Sequence, residues 1–310
     1  MSDQFNQAKK NVSKLTQDPG NDVQLKMYSL YKQVLAQELP NNKVKEGHTS
    51  DSGDFEYILV TQDGGLKTVT LNRPTKYNAI NSKMYRELIT ALKQAGQDDS
   101  VVTLITGAGQ YFCSGNDLTS SLNIPPEERE KLALKRNELM REFVSTFIDF
   151  PKPIVAAVNG PAIGISVTLL ALLDMVYASD RATFHTPFMT LGLCPEACSS
   201  YLFPKIMGHA KANEVLLAGR KLNAVEACNC GLVTEVFPQA EFEKEVNKRM
   251  KHLTGLPPKS LALSKQLCRS AEKDKLHDVN NKECDVIAER SRSEESAQAV
   301  IAFMQRKAKM

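Results

Sequence analysis

The chain has 310 residues, of which 42% are hydrophobic and 24% charged, the balance of a soluble globular protein with a substantial core. A formal net charge of +3 supplies no strong attraction to nucleic acid or to an anionic membrane, so neither is expected as a partner. The length admits two average domains or one large one.

Residues 1–38 carry two helical patterns. Phe5, Ala8, Val12 and Leu15 share one face, and Val23, Met27, Leu30, Tyr31 and Val34 follow the Asp18-Pro19-Gly20 turn. So short a hairpin has little to pack against. Met1 to Lys10 lacks the apolar run of a secretory signal, and Asp3 breaks the acid-poor pattern of a mitochondrial leader. Residues 39–54 are almost wholly polar, with Pro40, Gly47 and Gly53, and read as a linker.

From Phe55 the pattern changes to alternation. Phe55–Val60 and Lys67–Leu71 flank Asp63-Gly64-Gly65 and predict a β-hairpin. Asn81 is placed to cap a helix with Met84, Leu88, Leu92 and Ala95 on one face. Val101–Thr106 reads as a buried strand, residues 126–148 as a long charged helix, and Pro153–Val158 as a second buried strand. A helix from Gly160 to Leu173 and a strand over Met175–Ala178 complete this stretch. It is the most apolar part of the chain, but Asn159-Gly160-Pro161 and Asp174 interrupt it. Neither piece reaches the roughly 20 residues of a membrane span. Beyond residue 211 the pattern is mostly helical, over 212–218, 224–230, 241–253, 259–272, 276–290 and 294–307. Strands alternating with helices imply parallel βαβ units, so the expected class is α/β: a core over 55–210 and a helical region over 211–310.

Two strand ends have the composition of ligand-binding turns. The first is Tyr111-Phe112-Cys113-Ser114-Gly115-Asn116-Asp117-Leu118. The second is Val158-Asn159-Gly160-Pro161-Ala162-Ile163-Gly164-Ile165-Ser166. Glycines there permit tight backbone, so N–H groups are free to converge on one substrate oxygen, with a helix N-terminus adding to the field. Singly, each is also an ordinary strand-to-helix turn. The seven cysteines, Cys113, Cys194, Cys198, Cys228, Cys230, Cys268 and Cys284, are an odd number and fit a reducing interior better than a disulfide framework. No His lies close in sequence to Cys228/Cys230 or Cys194/Cys198 to complete a zinc set, so free thiols and no metal are expected.

Together and in this order, the two turns resemble the crotonase (enoyl-CoA hydratase/isomerase) superfamily. The resemblance extends to Leu71-Asn72-Arg73-Pro74, Asn78-Ala79-Ile80-Asn81, Lys152-Pro153-Ile154-Val155-Ala156-Ala157-Val158, Ala178-Ser179-Asp180-Arg181-Ala182-Thr183-Phe184 and Gly231-Leu232-Val233. It implies a ββα spiral core, a helical trimerisation region, and an oxyanion hole for an acyl-CoA thioester built from the N–H groups of Asn116 and Ile165. Hydratases of the family use two glutamates; the corresponding positions here hold Thr168 and Phe188, neither of which is a base. The available carboxylate is Glu196, where the Δ3,Δ2-enoyl-CoA isomerase branch carries its catalytic Glu. The resemblance is closest to the peroxisomal type of that branch, through Phe184-His185-Thr186-Pro187-Phe188 and Phe203-Pro204-Lys205-Ile206-Met207.

The resemblance thus implies an enzyme moving the double bond of 3-cis- or 3-trans-enoyl-CoA to 2-trans-enoyl-CoA with one glutamate, in β-oxidation of unsaturated fatty acids. Ser114, Gly115, Asn116, Asp117, Leu118, Phe188, Leu191 and Leu193 are expected at the substrate. Lys76, Tyr77 and Ala79 are expected near CoA, with Arg73, Lys83 and Lys152 as further candidates for its phosphates and His185 near the pocket. CoA belongs to the substrate, so no separate cofactor is expected. Ala308-Lys309-Met310 looks like a variant of the C-terminal address read by the peroxisomal import receptor, making the peroxisomal matrix the expected compartment and the mitochondrion the alternative. The competing readings are a non-catalytic acyl-CoA-binding scaffold and another crotonase reaction such as thioester hydrolysis. Residues 1–38 also resemble the first two helices of acyl-CoA-binding protein, with Tyr28 and Lys32 at ligand-contact positions. That resemblance stops after Gln33, before the third helix, where such domains carry Trp; this chain has none. A remnant, not a working second domain, is expected.

Overall fold

The computed structural model describes residues 55–117 and 126–309. The readings of residues 1–54, Leu118 and Met310 therefore lie outside the described residues. Strands β1 (Ile58–Asp63) and β2 (Leu66–Leu71) form the expected hairpin, joined through Gly64-Gly65. Helix α1 (Ser82–Gln97) starts where Asn81 Oδ1 accepts from the Met84 N–H at 2.9 Å, and it buries Met84, Tyr85, Leu88, Leu92 and Ala95. Strand β3 (Val102–Gly107), helix α2 (Pro126–Ile148) and strand β4 (Ile154–Val158) follow as the sequence predicts.

The next segment departs from the expectation of one helix over 160–173. It opens with a two-residue strand, β5 (Ala162–Ile163), and helix α3 (Ile165–Thr168) begins only after Gly164, continuing as a 3-10 turn over Leu169–Leu172. Gly164 has φ 63°, a left-handed conformation that resets the chain between strand and helix. Strands β6 (Met175–Ser179) and β7 (Thr183–His185) come next. Helix α4 (Ser199–Leu216) begins thirteen residues before the predicted Ala212, running across residue 210 with Pro204 inside it and a kink at Gly208 (φ 77°). Pro and Gly in one segment mask its periodicity.

The C-terminal region is not purely helical. After β8 (Leu222–Asn223) and α5 (Ala224–Asn229), strand β9 (Glu235–Phe237) closes the far edge of the main sheet. Helices α6 (Phe242–Thr254), α7 (Pro258–Ser270), α8 (Lys273–Ser291) and α9 (Glu294–Lys309) complete the chain.

The main sheet has the order β1-β2-β3-β4-β6-β9, antiparallel only in the hairpin. A smaller sheet, β5-β7-β8, lies beside it. Residues paired in one row, Val69–Ile105–Ala156–Val176, face the larger core with Leu88, Leu92 and Phe143. The alternate residues Val102, Leu104, Val155, Ala157 and Tyr177 face a second core closed by Phe242, Val246 and Met250 of α6. Covering on both faces explains why β3 and β4 read as apolar runs rather than alternating ones.

Candidate active site

The two loops at the ends of β3 and β4 are stitched together by backbone. Phe112 N–H and Cys113 N–H both donate to Pro161 O, and Ile163 N–H returns a bond to Cys113 O at 3.0 Å. Ser166 Oγ donates to the same Cys113 carbonyl at 3.0 Å. A Cβ on Gly115 would lie 2.7 Å from Ile163 O, and its φ is 85°, so only glycine fits this crossing. Fully buried Asn78 supports the loops from below: its Nδ2 donates to Ala108 O, Tyr111 O and Phe112 O, while its Oδ1 accepts from Arg73 N–H.

This stitching leaves backbone donors over on both turns. Asp117 N–H bonds Ile80 O, Gly164 N–H bonds His185 O, and Val167 and Thr168 N–H bond Gly164 O. Among the described residues the N–H groups of Asn116 on the first turn and of Ile165 and Ser166 on the second meet no internal acceptor. An unpaired N–H on each of two adjoining turns, one of them at the start of α3, is the requirement for holding a developing oxyanion.

The acid lies on a turn facing that pair. Glu196 is 6% exposed, and a Cβ on Gly164 would lie 3.9 Å from its Oε1, which puts the carboxylate one residue from Ile165. Among the described residues its side chain has no hydrogen-bond partner. Burial pushes its pKa up to about 8, and the charge of Glu283 adds to the effect. Its backbone is fixed by Ser199, whose Oγ and N–H both donate to Glu196 O, at 2.7 and 3.1 Å. Ala197 and Cys198 take φ 55° and 61°, a left-handed pair that turns the chain from the Glu196 strap into α4.

Two contributors escaped the sequence reading. Tyr85 of α1 donates its phenol to Asn116 Oδ1 at 2.6 Å, and burial, with the nearby Glu196 charge, holds it neutral. Glu283 of α8 accepts from the N–H of Cys198 at 2.6 Å and of Ser200 at 2.9 Å. Tyr85 is one of several apolar positions on an amphipathic helix and carries no distinguishing pattern. Glu283 does carry one: it falls at the i+7 position of the buried stripe Leu276, Val279, Asn280, Glu283, Cys284, where an acid is out of place.

The other predicted residues divide. Ser114 N–H donates to Tyr77 O, and Arg73 bridges Ala79 O and Asp117, so residues 76–79 and 114–117 form one rim. Phe188 and Leu191 are buried and Leu193 half-buried on the strap before Glu196, while Thr168 is buried with its hydroxyl on Ile165 O. The phosphate candidates are corrected. Lys152 donates to Asp98 and Ser100, with Asp98 held far below the usual carboxylate range; its pKa is raised by burial and lowered further by Lys67, Ser100 and Lys152. Arg73 is taken by Asp117, and Lys83 pairs with Glu56. Among the described residues Lys76 alone of the four has no ion-pair partner. His185 contributes its carbonyl to Gly164 N–H, and its ring is half-buried. All seven cysteines are free.

A fold of this topology with paired N–H donors opposite a buried acid has a recognised family. Residues 61–309 match the enoyl-CoA hydratase/isomerase family model, and the chain belongs to that family. It is 47% identical to human enoyl-CoA delta isomerase 2 over 99% of this chain and 89% of that protein. It is 52% identical to mouse peroxisomal enoyl-CoA delta isomerase 3 over 86% of this chain and 83% of that one. The human chromodomain Y-like protein is 40% identical over 81% of this chain, which spans only 42% of that larger protein. Among solved structures, an enoyl-CoA hydratase/isomerase from Pseudoalteromonas atlantica superposes with a TM-score of 0.74 at 36% identity, over 81% of this chain and 98% of that one.

Proposed function

We propose that the protein is a Δ3,Δ2-enoyl-CoA isomerase using Glu196 as its sole acid–base group. One observation carries the reading: a single buried carboxylate faces the unpaired N–H of Ile165, while Thr168 and Phe188 stand where a hydratase needs carboxylates. Similarity to two isomerases, at 47% and 52% identity, supports it. Glu196 as the carboxylate takes a proton from C2 of the 3-enoyl thioester. The C–H electron pair moves into the thioester carbonyl, and the N–H groups of Asn116 and Ile165 hold the resulting oxyanion. Collapse of the enolate shifts the double bond to C2–C3, and Glu196 returns the same proton to C4, ending as the carboxylate. Phe188, Leu191 and Leu193 give the strap an apolar lining, which disfavours holding a water for addition.

Several further parts of the reading rest on position alone. Ser114 to Leu118 form the thioester rim; Lys76, Tyr77 and Ala79 lie toward CoA; the protein assembles as a homotrimer; and Ala308-Lys309-Met310 addresses it to peroxisomes. The alignment with the human relative spans 352 positions although this chain has 310 residues, so that relative has segments this chain lacks. This fits a shortened acyl-CoA-binding front end, with Tyr28 and Lys32 as vestigial contacts. Similarity to a chromodomain protein raises a non-catalytic scaffold, against which the buried Glu196 speaks.

The test is incubation with 3-cis- and 3-trans-enoyl-CoA of several chain lengths, resolving products by chromatography. The expected product is 2-trans-enoyl-CoA. Formation of 3-hydroxyacyl-CoA at a comparable rate, or release of free CoA in its place, overturns the proposal.

A further inference from the structure

Helix α4 begins without a cap of its own. Its N-cap residue is Cys198, in a left-handed conformation and with no side-chain hydrogen bond to the helix. The first N–H groups of a helix carry partial positive charge and need acceptors. Here the acceptors come from 83 and 85 residues further along the chain: Glu283 Oε1 takes Ser200 N–H and Oε2 takes Cys198 N–H. Glu283 is 7% exposed, on the stripe of α8 that packs against α2 and α4. Among the described residues no Lys or Arg pairs with it. A buried carboxylate that spans two N–H groups of one turn fixes that turn in two places, and the first of those N–H groups, on Cys198, lies two residues after Glu196.

We propose that Glu283 is a positioning residue for the isomerase reaction: it clamps the Ala197–Cys198 turn that aims Glu196 and places a fixed negative charge beside it. The inference rests on the isomerase reading above for its activity readout only. Among the described residues the other titratable groups coupled to Glu196 or placed at its turn favour their neutral forms. Tyr85, on α1, is pushed well up by burial, and Cys284, on α8, is pushed up to about 12, again chiefly by burial. Cys198, at the turn itself, moves the same way. Arg141 of α2 approaches Cys284 but spends its guanidinium on Asn281 and Asp285. That leaves Glu283 as the like charge. Burial raises its own pKa, while the bonds from Ser200 and Cys198 pull it back toward the ionised form. Glu196 has no such donors. In the coupled pair the first proton therefore settles on Glu196, and the charge on Glu283 strengthens it as a base.

The consequence is a pH-rate profile whose acid limb is set by two carboxylates. The limb of kcat/KM, where Glu196 must be ionised, rises through about pH 8. Glu283→Gln keeps the shape of the clamp with one acceptor and removes the charge. It should move the limb to lower pH by about one pH unit. Glu283→Asp keeps the charge and shortens the reach, so it should leave the limb in place and lower kcat about tenfold by loosening the turn. The same shift is read without catalysis by following the Glu196 carboxyl carbon by NMR in protein labelled at glutamate Cδ, with Glu196→Gln identifying the signal. If the protein proves not to be an isomerase, the Glu196 titration still moves in Glu283→Gln, and the failure belongs to the function alone. An unmoved titration in folded Glu283→Gln overturns the inference. Should that variant not fold, Glu283→Asp with unchanged kcat overturns it equally.

Discussion

The two sides of the candidate active site are built in opposite ways. The donor side is local and over-determined: residues 76–79, 113–117 and 161–166 are cross-linked by backbone bonds, by Asn78 and by Ser166. The acid side is one strap, residues 188–198, tied by side chains from helices more than 80 residues later: Glu283 at its far end and Ser296, whose Oγ donates to Leu191 O at 3.1 Å. In the proposed reaction the donors must stand still to stabilise an oxyanion, whereas the carboxylate must reach both C2 and C4. Local backbone stitching on one side and side-chain ties from remote helices on the other match those demands.

The same contrast governs what could be read from sequence. The donor side was legible because its chemistry is backbone, and backbone is dictated by short glycine-bearing motifs such as Ser114-Gly115-Asn116 and Ile163-Gly164-Ile165. Glu196 was a candidate by position. Its surroundings were not legible: Tyr85 hides on an ordinary apolar helix face, and Glu283 reaches the site only through the packing of α8 against α4. For the fold, periodicity found the hairpin, α1 and strands β3, β4 and β6. It missed the start of α4, where Pro204 and Gly208 break the pattern, and β9, whose three residues are too few to signal themselves. The Gly164 reset, which separates β5 from α3, also has no periodic signature. Lys152 read as a candidate for the CoA phosphates and is a structural cation, because charge in a sequence does not disclose the Asp98 that claims it.

Two substitutions probe the contrast, the larger effect first. Gly115→Ala forces a Cβ to within 2.7 Å of Ile163 O and opens the crossing that presents Asn116 N–H. Turnover should fall on the order of a hundredfold or more, the effect of losing an oxyanion donor, with the acid limb of the pH profile unmoved. A limb that shifts with Gly115→Ala would show that the two sides are not separable.

The smaller effect concerns stability. Glu196 has a folded pKa of about 8 against an ordinary value of 4.5, so its neutral form is the one the fold favours. Its contribution is fully present below about pH 4.5 and is lost as pH rises through 8. Glu196→Gln carries no such charge. The gap in Tm between it and the wild type should therefore widen, in favour of the variant, by a few degrees from about pH 5 to about pH 8. A constant gap across that range would mean that the carboxylate is not buried as described.

The central claim is that one carboxylate performs both proton transfers, and turnover by Glu196→Gln tests it most directly. With 3-trans-enoyl-CoA at saturating concentration, the account predicts that the variant binds acyl-CoA nearly as well as the wild type and forms no measurable 2-trans-enoyl-CoA. Retention of more than about a few per cent of wild-type turnover, in a protein that still binds substrate, would contradict it, because removing a positioned acid–base group slows a reaction that depends on it by about a hundredfold or more.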